Sequence, residues 1–286
     1  MPCGRLAPGQ DSAAQSEEMP HRPQRPKLGQ NFLASPTAQA VIVDALGDLT
    51  ERTVVEIGPG RGALTTLLAP RAGRLILIEL DRDLGVGLHA QFADRPSVQV
   101  LQQDILAVDL AGLRDGPNEK LLVVGNLPYY ITSDILLYLF HAHAAIERAV
   151  VMIQREVADR VAAHPGTRDY GLLSVTAQLY ARVENLFTLP PAAFSPPPQV
   201  HSTVLRLTMA PRFDALRVEP DAFLRFVRSA FAQKRKILAK NLRNAGFEVE
   251  RIRAAMEKTG LSDFTRAEEL GIDALAALWR DLTDEP

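Results

Sequence analysis

Between residues 53 and 152 the chain alternates short β-branched runs with longer amphipathic stretches, and that alternation leaves few folds open. Short, continuously apolar runs suit strands covered on both faces, and stretches with an apolar residue every third or fourth position suit the helices that cover them. The pattern predicts strands at 53–57, 74–79, 98–101, 121–125 and 149–153. It predicts helices at 63–68, 82–92 and 133–141, the last with Ser133 as its N-cap ahead of Asp134. Strand–helix–strand units repeated in this way build a doubly wound α/β sheet with parallel strands at its centre.

An amphipathic segment at 172–180 precedes an extended stretch at 182–189, and a proline-rich turn then leads to a last alternating strand at 202–207. Two strands after the fifth make seven, and if they form a terminal hairpin one of them runs antiparallel to the rest. A dinucleotide dehydrogenase would have six parallel strands instead. From Ala210 and Pro211 the chain turns charged and helix-forming as far as Trp279, with Gly246 and Gly260 as helix stops. The expected organisation is an N-terminal extension at 1–22, an α/β domain at 23–210 and a small all-helical domain at 211–286, suited to gripping a partner rather than to chemistry.

With 47% hydrophobic residues in 286, the chain has ample material for a packed core. No apolar run approaches the roughly 20 residues that span a bilayer, so a soluble protein without a membrane partner is expected. The extension carries Cys3, Asp11, Glu17 and Glu18 and lacks the apolar centre of a secretion signal. Cys3 is the single cysteine, which leaves no internal disulfide and fits a reducing cytoplasm. No pair of histidines has ligand spacing with a third partner, so no metal is expected.

The first predicted strand ends in Glu56-Ile57-Gly58-Pro59-Gly60-Arg61-Gly62 and runs into a helix. Glycines at such a turn let backbone N–H groups approach a ligand that side chains would hold off. Taken alone, the turn is a weak signal and a ligand-free junction stays open, because its spacing is not the Gly-x-Gly-x-x-Gly of dinucleotide sites and no phosphate-loop lysine follows. Glu79 ends the second strand and Asp104 follows the third, and either is in itself an ordinary strand-end carboxylate. Together, on the edge where open α/β sheets bind ligands, Glu79 suits ribose hydroxyls and Asp104 an adenine amino group. With no cation placed to neutralise a pyrophosphate, the set favours a nucleoside without phosphates, and S-adenosylmethionine fits.

Asn126-Leu127-Pro128-Tyr129 follows the fourth strand on the same edge. An exocyclic amine on a nucleobase is a poor nucleophile because its lone pair is shared with the ring. The Asn126 side-chain carbonyl and the Leu127 backbone carbonyl can accept both of its hydrogens, Pro128 fixes the backbone between them, and Tyr129 offers a face for stacking. A turn after a strand also favours Asn and Pro. A second aromatic, Phe194 in Ala193-Phe194-Ser195-Pro196-Pro197-Pro198, is expected to cover the other face of a base drawn out of its stack. The constellation points to methyl transfer onto an amino nitrogen.

The formal net charge is −2, yet the cations are clustered. Arg22, Arg25 and Lys27 form one group, Arg155 and Arg160 a second, and Arg225, Arg228, Lys234, Arg235, Lys236, Lys240 and Arg243 a third, opposed locally by Asp221. Affinity for nucleic acid follows local clusters more than the sum, although any one cluster is also what a solvated helix face looks like.

These segments, with Leu28-Gly29-Gln30-Asn31-Phe32-Leu33, Gln154-Arg155-Glu156-Val157 and Phe231-Ala232-Gln233-Lys234-Arg235-Lys236, closely resemble the ribosomal RNA adenine dimethyltransferase family, in particular its bacterial small-subunit branch. The resemblance runs from about Lys27 to Leu270. It implies a Rossmann-like seven-stranded class I methyltransferase sheet with a small all-helical C-terminal domain. It also implies dimethylation of two adjacent adenines in a hairpin near the 3′ end of 16S rRNA, within the small ribosomal subunit, by a monomer that uses S-adenosylmethionine. On this resemblance Asn31 and Leu33 line the methionine side of the cofactor pocket, Gly58 and Gly60 the turn beneath it, Glu79 the ribose and Asp104 the adenine. Asn126 borders cofactor and target alike, while Arg225, Arg228, Lys234, Arg235 and Lys236 bind RNA. His201 departs from the acidic residue expected after the Pro-Pro-Pro-x-Val segment. Two other readings stay open: a large-subunit rRNA adenine methyltransferase of the macrolide-resistance type, and a non-catalytic assembly protein of the same fold.

Overall fold

The structure, a computed structural model, describes residues 31–234 and 236–283. The extension with Cys3, the first basic group and Arg235 lie outside the described residues. A short strand β1 (Phe32–Leu33) and a helix α1 (Pro36–Asp44) lead into an alternating series: β2 (Thr53–Ile57), α2 (Thr65–Leu68), β3 (Arg74–Ile78), α3 (Arg82–Gln91) and β4 (Val98–Leu101). After a longer connection come β5 (Leu121–Asn126), α4 (Thr132–His141), β6 (Ile146–Gln154), α5 (Arg155–Ala162) and α6 (Leu172–Tyr180). The strands close with β7 (Ala181–Leu189), β8 (Phe194–Ser195) and β9 (Ser202–Met209). Five helices follow: α7 (Phe213–Leu216), α8 (Pro220–Ala230), α9 (Leu238–Asn244), α10 (Val249–Lys258) and α11 (Ile272–Thr283).

The main sheet has seven strands in the order β4-β3-β2-β5-β6-β9-β7. β2 through β6 run parallel, β9 runs antiparallel to β6, and β7 is antiparallel to β9. The terminal hairpin therefore inserts one antiparallel strand. Strand periodicity explains why these runs are mostly apolar: Val55, Ile57 and Val123 enter the core on one face, and Val54, Leu122 and Val124 enter the core on the other. The first core continues without a break into Phe223, Phe226, Leu238, Met256, Leu275 and Leu278 of the C-terminal helices. Phe140 stacks on Tyr180 at 5.9 Å, and Tyr180 meets Phe213 edge-on at 5.0 Å, which fastens α7 to the sheet-covering helices.

Several local expectations change. The helix expected at 63–68 shortens to α2 because Gly62, at φ +81°, keeps the chain in a turn. Ser133 is not an N-cap: α4 already begins at Thr132, whose hydroxyl donates to the Pro128 carbonyl at 2.9 Å. α1, capped by Ser35 with Pro36 at its first position, and α5, which leaves β6 without a loop, add to the predicted helices. A further element without a periodic signal is a small antiparallel ladder, in which Phe32 and Leu33 pair with Ser195 and Phe194.

Candidate active site

The carboxyl ends of β2, β3, β4 and β5 open into a cleft lined by apolar side chains and a few polar groups, the make-up of a small-molecule site. Its floor is the turn after β2. Gly58 and Gly60 adopt φ of +63° and +59°, which glycine enters without steric penalty. A Cβ on Gly60 would lie 2.9 Å from the Phe32 ring, so the turn and the β1 segment close on each other only because a hydrogen stands there. The Arg61 guanidinium covers Phe32 at 4.6 Å from its centroid.

Glu79, at the end of β3, accepts the Gly60 N–H at 3.0 Å and the Asp81 N–H at 2.9 Å, one on each oxygen. Burial raises its pKa and the two backbone donors pull it back down. Beneath it Glu56 is fully enclosed and accepts the Thr65 hydroxyl at 2.7 Å. Burial, opposed by that hydrogen bond and reinforced by the nearby Glu79 charge, pushes its carboxyl up to about 8. Asp104 is exposed at the end of β4, and one of its oxygens accepts the Leu106 N–H at 3.0 Å.

Asn126 closes the other side. Its Nδ2 donates to the Asn31 carbonyl at 2.8 Å, which commits the amide nitrogen and leaves Oδ1 as the acceptor. The Leu127 N–H donates to Met152 of β6 at 3.0 Å, fixing the backbone from which its own carbonyl projects. The Tyr129 hydroxyl shares a 2.8 Å hydrogen bond with Ser202 at the start of β9, which holds the ring at the end of the strand.

Asn31, Gly58, Gly60, Glu79, Asp104, Asn126, Leu127 and Tyr129 all line this one cleft. Leu33 and Phe194 do not. Their pairing turns both side chains into the core, at 5% and 4% exposure. The lining also takes in Phe32, Leu80, Ile105 and Tyr130, which were not singled out from the sequence. The signal for Leu80 and Ile105 was present, since each directly follows one of the strand-end acids. Among the described residues the lining contains no Lys or Arg, which matches a ligand without a pyrophosphate and with positive charge of its own.

The predicted RNA-binding residues stand elsewhere. Arg225 and Arg228 are exposed on α8, and Lys234 and Lys236 in the turn before α9. The Lys234 ammonium donates to the Arg168 carbonyl. Arg155 faces Asp159 at 3.6 Å, which offsets part of the second cationic group. No helix among the described residues is long and apolar enough to cross a membrane, and no cluster of three or more metal-ligating side chains occurs among them.

Residues 22–283 match the family described as Ribosomal RNA adenine dimethylase. A protein of Acidobacterium capsulatum named Ribosomal RNA small subunit methyltransferase A is 65% identical over 91% of this chain and 92% of its own length. Its namesake in Koribacter versatilis is 51% identical over 94% and 98%. Among solved structures, a dimethyladenosine transferase from Plasmodium falciparum superposes with a TM-score of 0.73 at 22% identity, over 86% of this chain and 95% of that one. The 23S rRNA methyltransferase ErmE gives 0.68 at 26% identity, over 89% and 100%.

Proposed function

Because the chain belongs to the ribosomal RNA adenine dimethylase family, we infer that its cleft takes S-adenosylmethionine and one adenine at a time. The enzyme dimethylates N6 of two adjacent adenines in the 3′-terminal hairpin of 16S rRNA, within the small ribosomal subunit. The observation that carries this reading is the juxtaposition of the cation-free nucleoside cradle at Gly58, Gly60, Glu79 and Asp104 with the acceptor pair at Asn126 and Leu127. When bound, S-adenosylmethionine supplies an electrophilic methyl group on sulfur. Glu79 and Asp104 are the acceptors for ribose hydroxyls and an adenine amine, and Asn31 borders the far end.

The protein's own contribution to the chemistry is positioning. Asn126 Oδ1 and the Leu127 carbonyl accept the two N6 hydrogens, which draws the nitrogen lone pair out of conjugation with the ring. Tyr129, tethered through Ser202, sets the plane of the base. Holding donor and acceptor in line supplies most of the rate enhancement. No strong base is needed, since the nitrogen proton becomes acidic once the methyl group has been received. A monomethylated amine keeps one N–H, which either acceptor can hold for the second transfer.

The exposed cations of α8 and the turn before α9 serve as the RNA grip, on a helical region we take as the accessory domain. We take the enzyme to work as a monomer in the cytoplasm. The test is to incubate the protein with isotopically labelled S-adenosylmethionine and unmethylated small subunits, then map dimethyladenosine by mass spectrometry. Label on the paired adenines of the 3′ hairpin is expected. Label confined to large-subunit RNA, or none despite bound donor, overturns the assignment.

A further inference from the structure

The short 3₁₀ turn Tyr129–Ile131 carries two adjacent tyrosines into the cleft lining, and they are placed very differently. Tyr129 is partly buried and hydrogen-bonded to Ser202. Tyr130 is 62% exposed, among the most exposed large apolar side chains of the described residues, and its hydroxyl has no hydrogen-bond partner among those residues. A single exposed aromatic is ordinary on a protein surface, but one that also belongs to a cleft lining is placed to take a flat ring, because bases stack on aromatic side chains.

Successive residues of a 3₁₀ turn point about 120° apart, so neighbouring side chains do not face each other. Tyr130 therefore does not sandwich the base that Tyr129 holds. Phe194 is buried by its pairing with Leu33 and does not stand at the rim. A strand delivering one adenine to Tyr129 carries the next nucleotide across the rim, where the open ring stands. We propose that Tyr130 is a binding residue for the base that neighbours the target adenine, stacking on it at the mouth of the cleft while the target is inside. This rests on the reading of the cleft as an rRNA adenine methylation site. It adds that the adjacency of the two target adenines is itself recognised: whichever is inside, a neighbouring purine remains outside to stack.

Base–aromatic stacking is sequence-tolerant and substantial, so removing the ring should raise KM for the RNA by roughly tenfold or more. The experiment compares wild type, Tyr130→Ala and Tyr130→Phe in steady-state methyl transfer to unmethylated small subunits, with donor affinity measured separately by calorimetry. Tyr130→Ala is expected to raise KM while kcat stays within about twofold and donor affinity is unchanged. Tyr130→Phe, which keeps the ring, is expected to retain the wild-type KM. An unchanged KM in Tyr130→Ala, or a fall in kcat alone, overturns the proposal. Failure of the wild-type protein to methylate the subunit is a different result, and it sinks the reading of the cleft instead.

Discussion

Asn126 holds the site together with one end of its amide and leaves the other for the substrate. Its Nδ2 bridges to Asn31, 95 residues away, so removing the side chain deletes an acceptor and also releases the β1 segment. Asn126→Ala should lower kcat by about 10²–10³, the usual effect of losing one preorganised polar contact to the reacting group. Donor affinity should fall far less, since the glycine turn and Glu79 remain, and single-turnover kinetics beside calorimetry will separate the two effects. Glu56 makes a prediction in pH. Its carboxyl is pushed from the ordinary 4.5 up to about 8 by burial, so below 4.5 folded and unfolded chains are both protonated. As pH rises past that value the unfolded chain loses its proton while the folded chain keeps it. Stability then falls by up to about 1.4 kcal/mol per pH unit until the folded group ionises. Glu56→Gln retains an acceptor for Thr65 and removes this loss, so its urea midpoint should gain steadily on wild type between pH 5 and 8. A gap that does not change with pH would mean that Glu56 is already ionised in the fold. At this scale the acids and Asn126 were legible because strand ends place them on the ligand edge, whereas Phe194 and Tyr130 were not. Both are aromatics beside turns, and only a long-range pairing decides that one is buried and the other open.

The elements divide by how local their causes are. The five parallel strands were readable to within three residues because strands covered on both faces are apolar at most positions. The β1–β8 ladder was not, since two-residue strands carry no periodicity and Phe32 meets a partner 163 positions away, at Ser195. α5 was hidden for another reason: it follows β6 directly, with no turn residues to announce it. The ladder nonetheless shapes the site, because it places Phe32 against Gly60. Gly60→Ala combines the penalty of a left-handed backbone, about 1–2 kcal/mol, with a Cβ 2.9 Å from that ring. Gly246→Ala provides the control, for its φ is +94° and no atom lies within 4 Å of the added methyl. Both variants should lose stability in chemical denaturation, but Gly60→Ala alone should weaken S-adenosylmethionine binding, by about tenfold or more if the ring must shift to make room. Equal donor affinity in the two variants would show that the ring yields freely and that the close approach has no role in the site.

Across the whole molecule, charge is arranged where the core leaves it no other place. The C-terminal helices bury Phe223, Phe226 and Val227 of α8 in a core shared with the sheet, and that fixes which face of α8 is left for Arg225 and Arg228. Among the described residues no carboxylate comes within ion-pair distance of Arg225, Arg228 or Lys236, although Glu219 interacts with Arg225 at longer range, so the face stays cationic despite a net −2 overall. Lys234 is different, because its ammonium already donates to the Arg168 carbonyl and its loss would disturb the turn as well as the charge. A clean test therefore replaces Arg225, Arg228 and Lys236 with alanine together and leaves Lys234 intact. Each phosphate contact contributes about 0.7–0.9 to the slope of log affinity against log salt, so the triple variant should flatten that slope by roughly two to three. Binding to the small subunit should weaken most at low salt, with S-adenosylmethionine affinity and the thermal midpoint near wild type, because all three side chains are exposed. An unchanged slope would make this face a solvated surface, and the RNA would then have to be held by other exposed cations, such as Arg155 and Arg160 on α5.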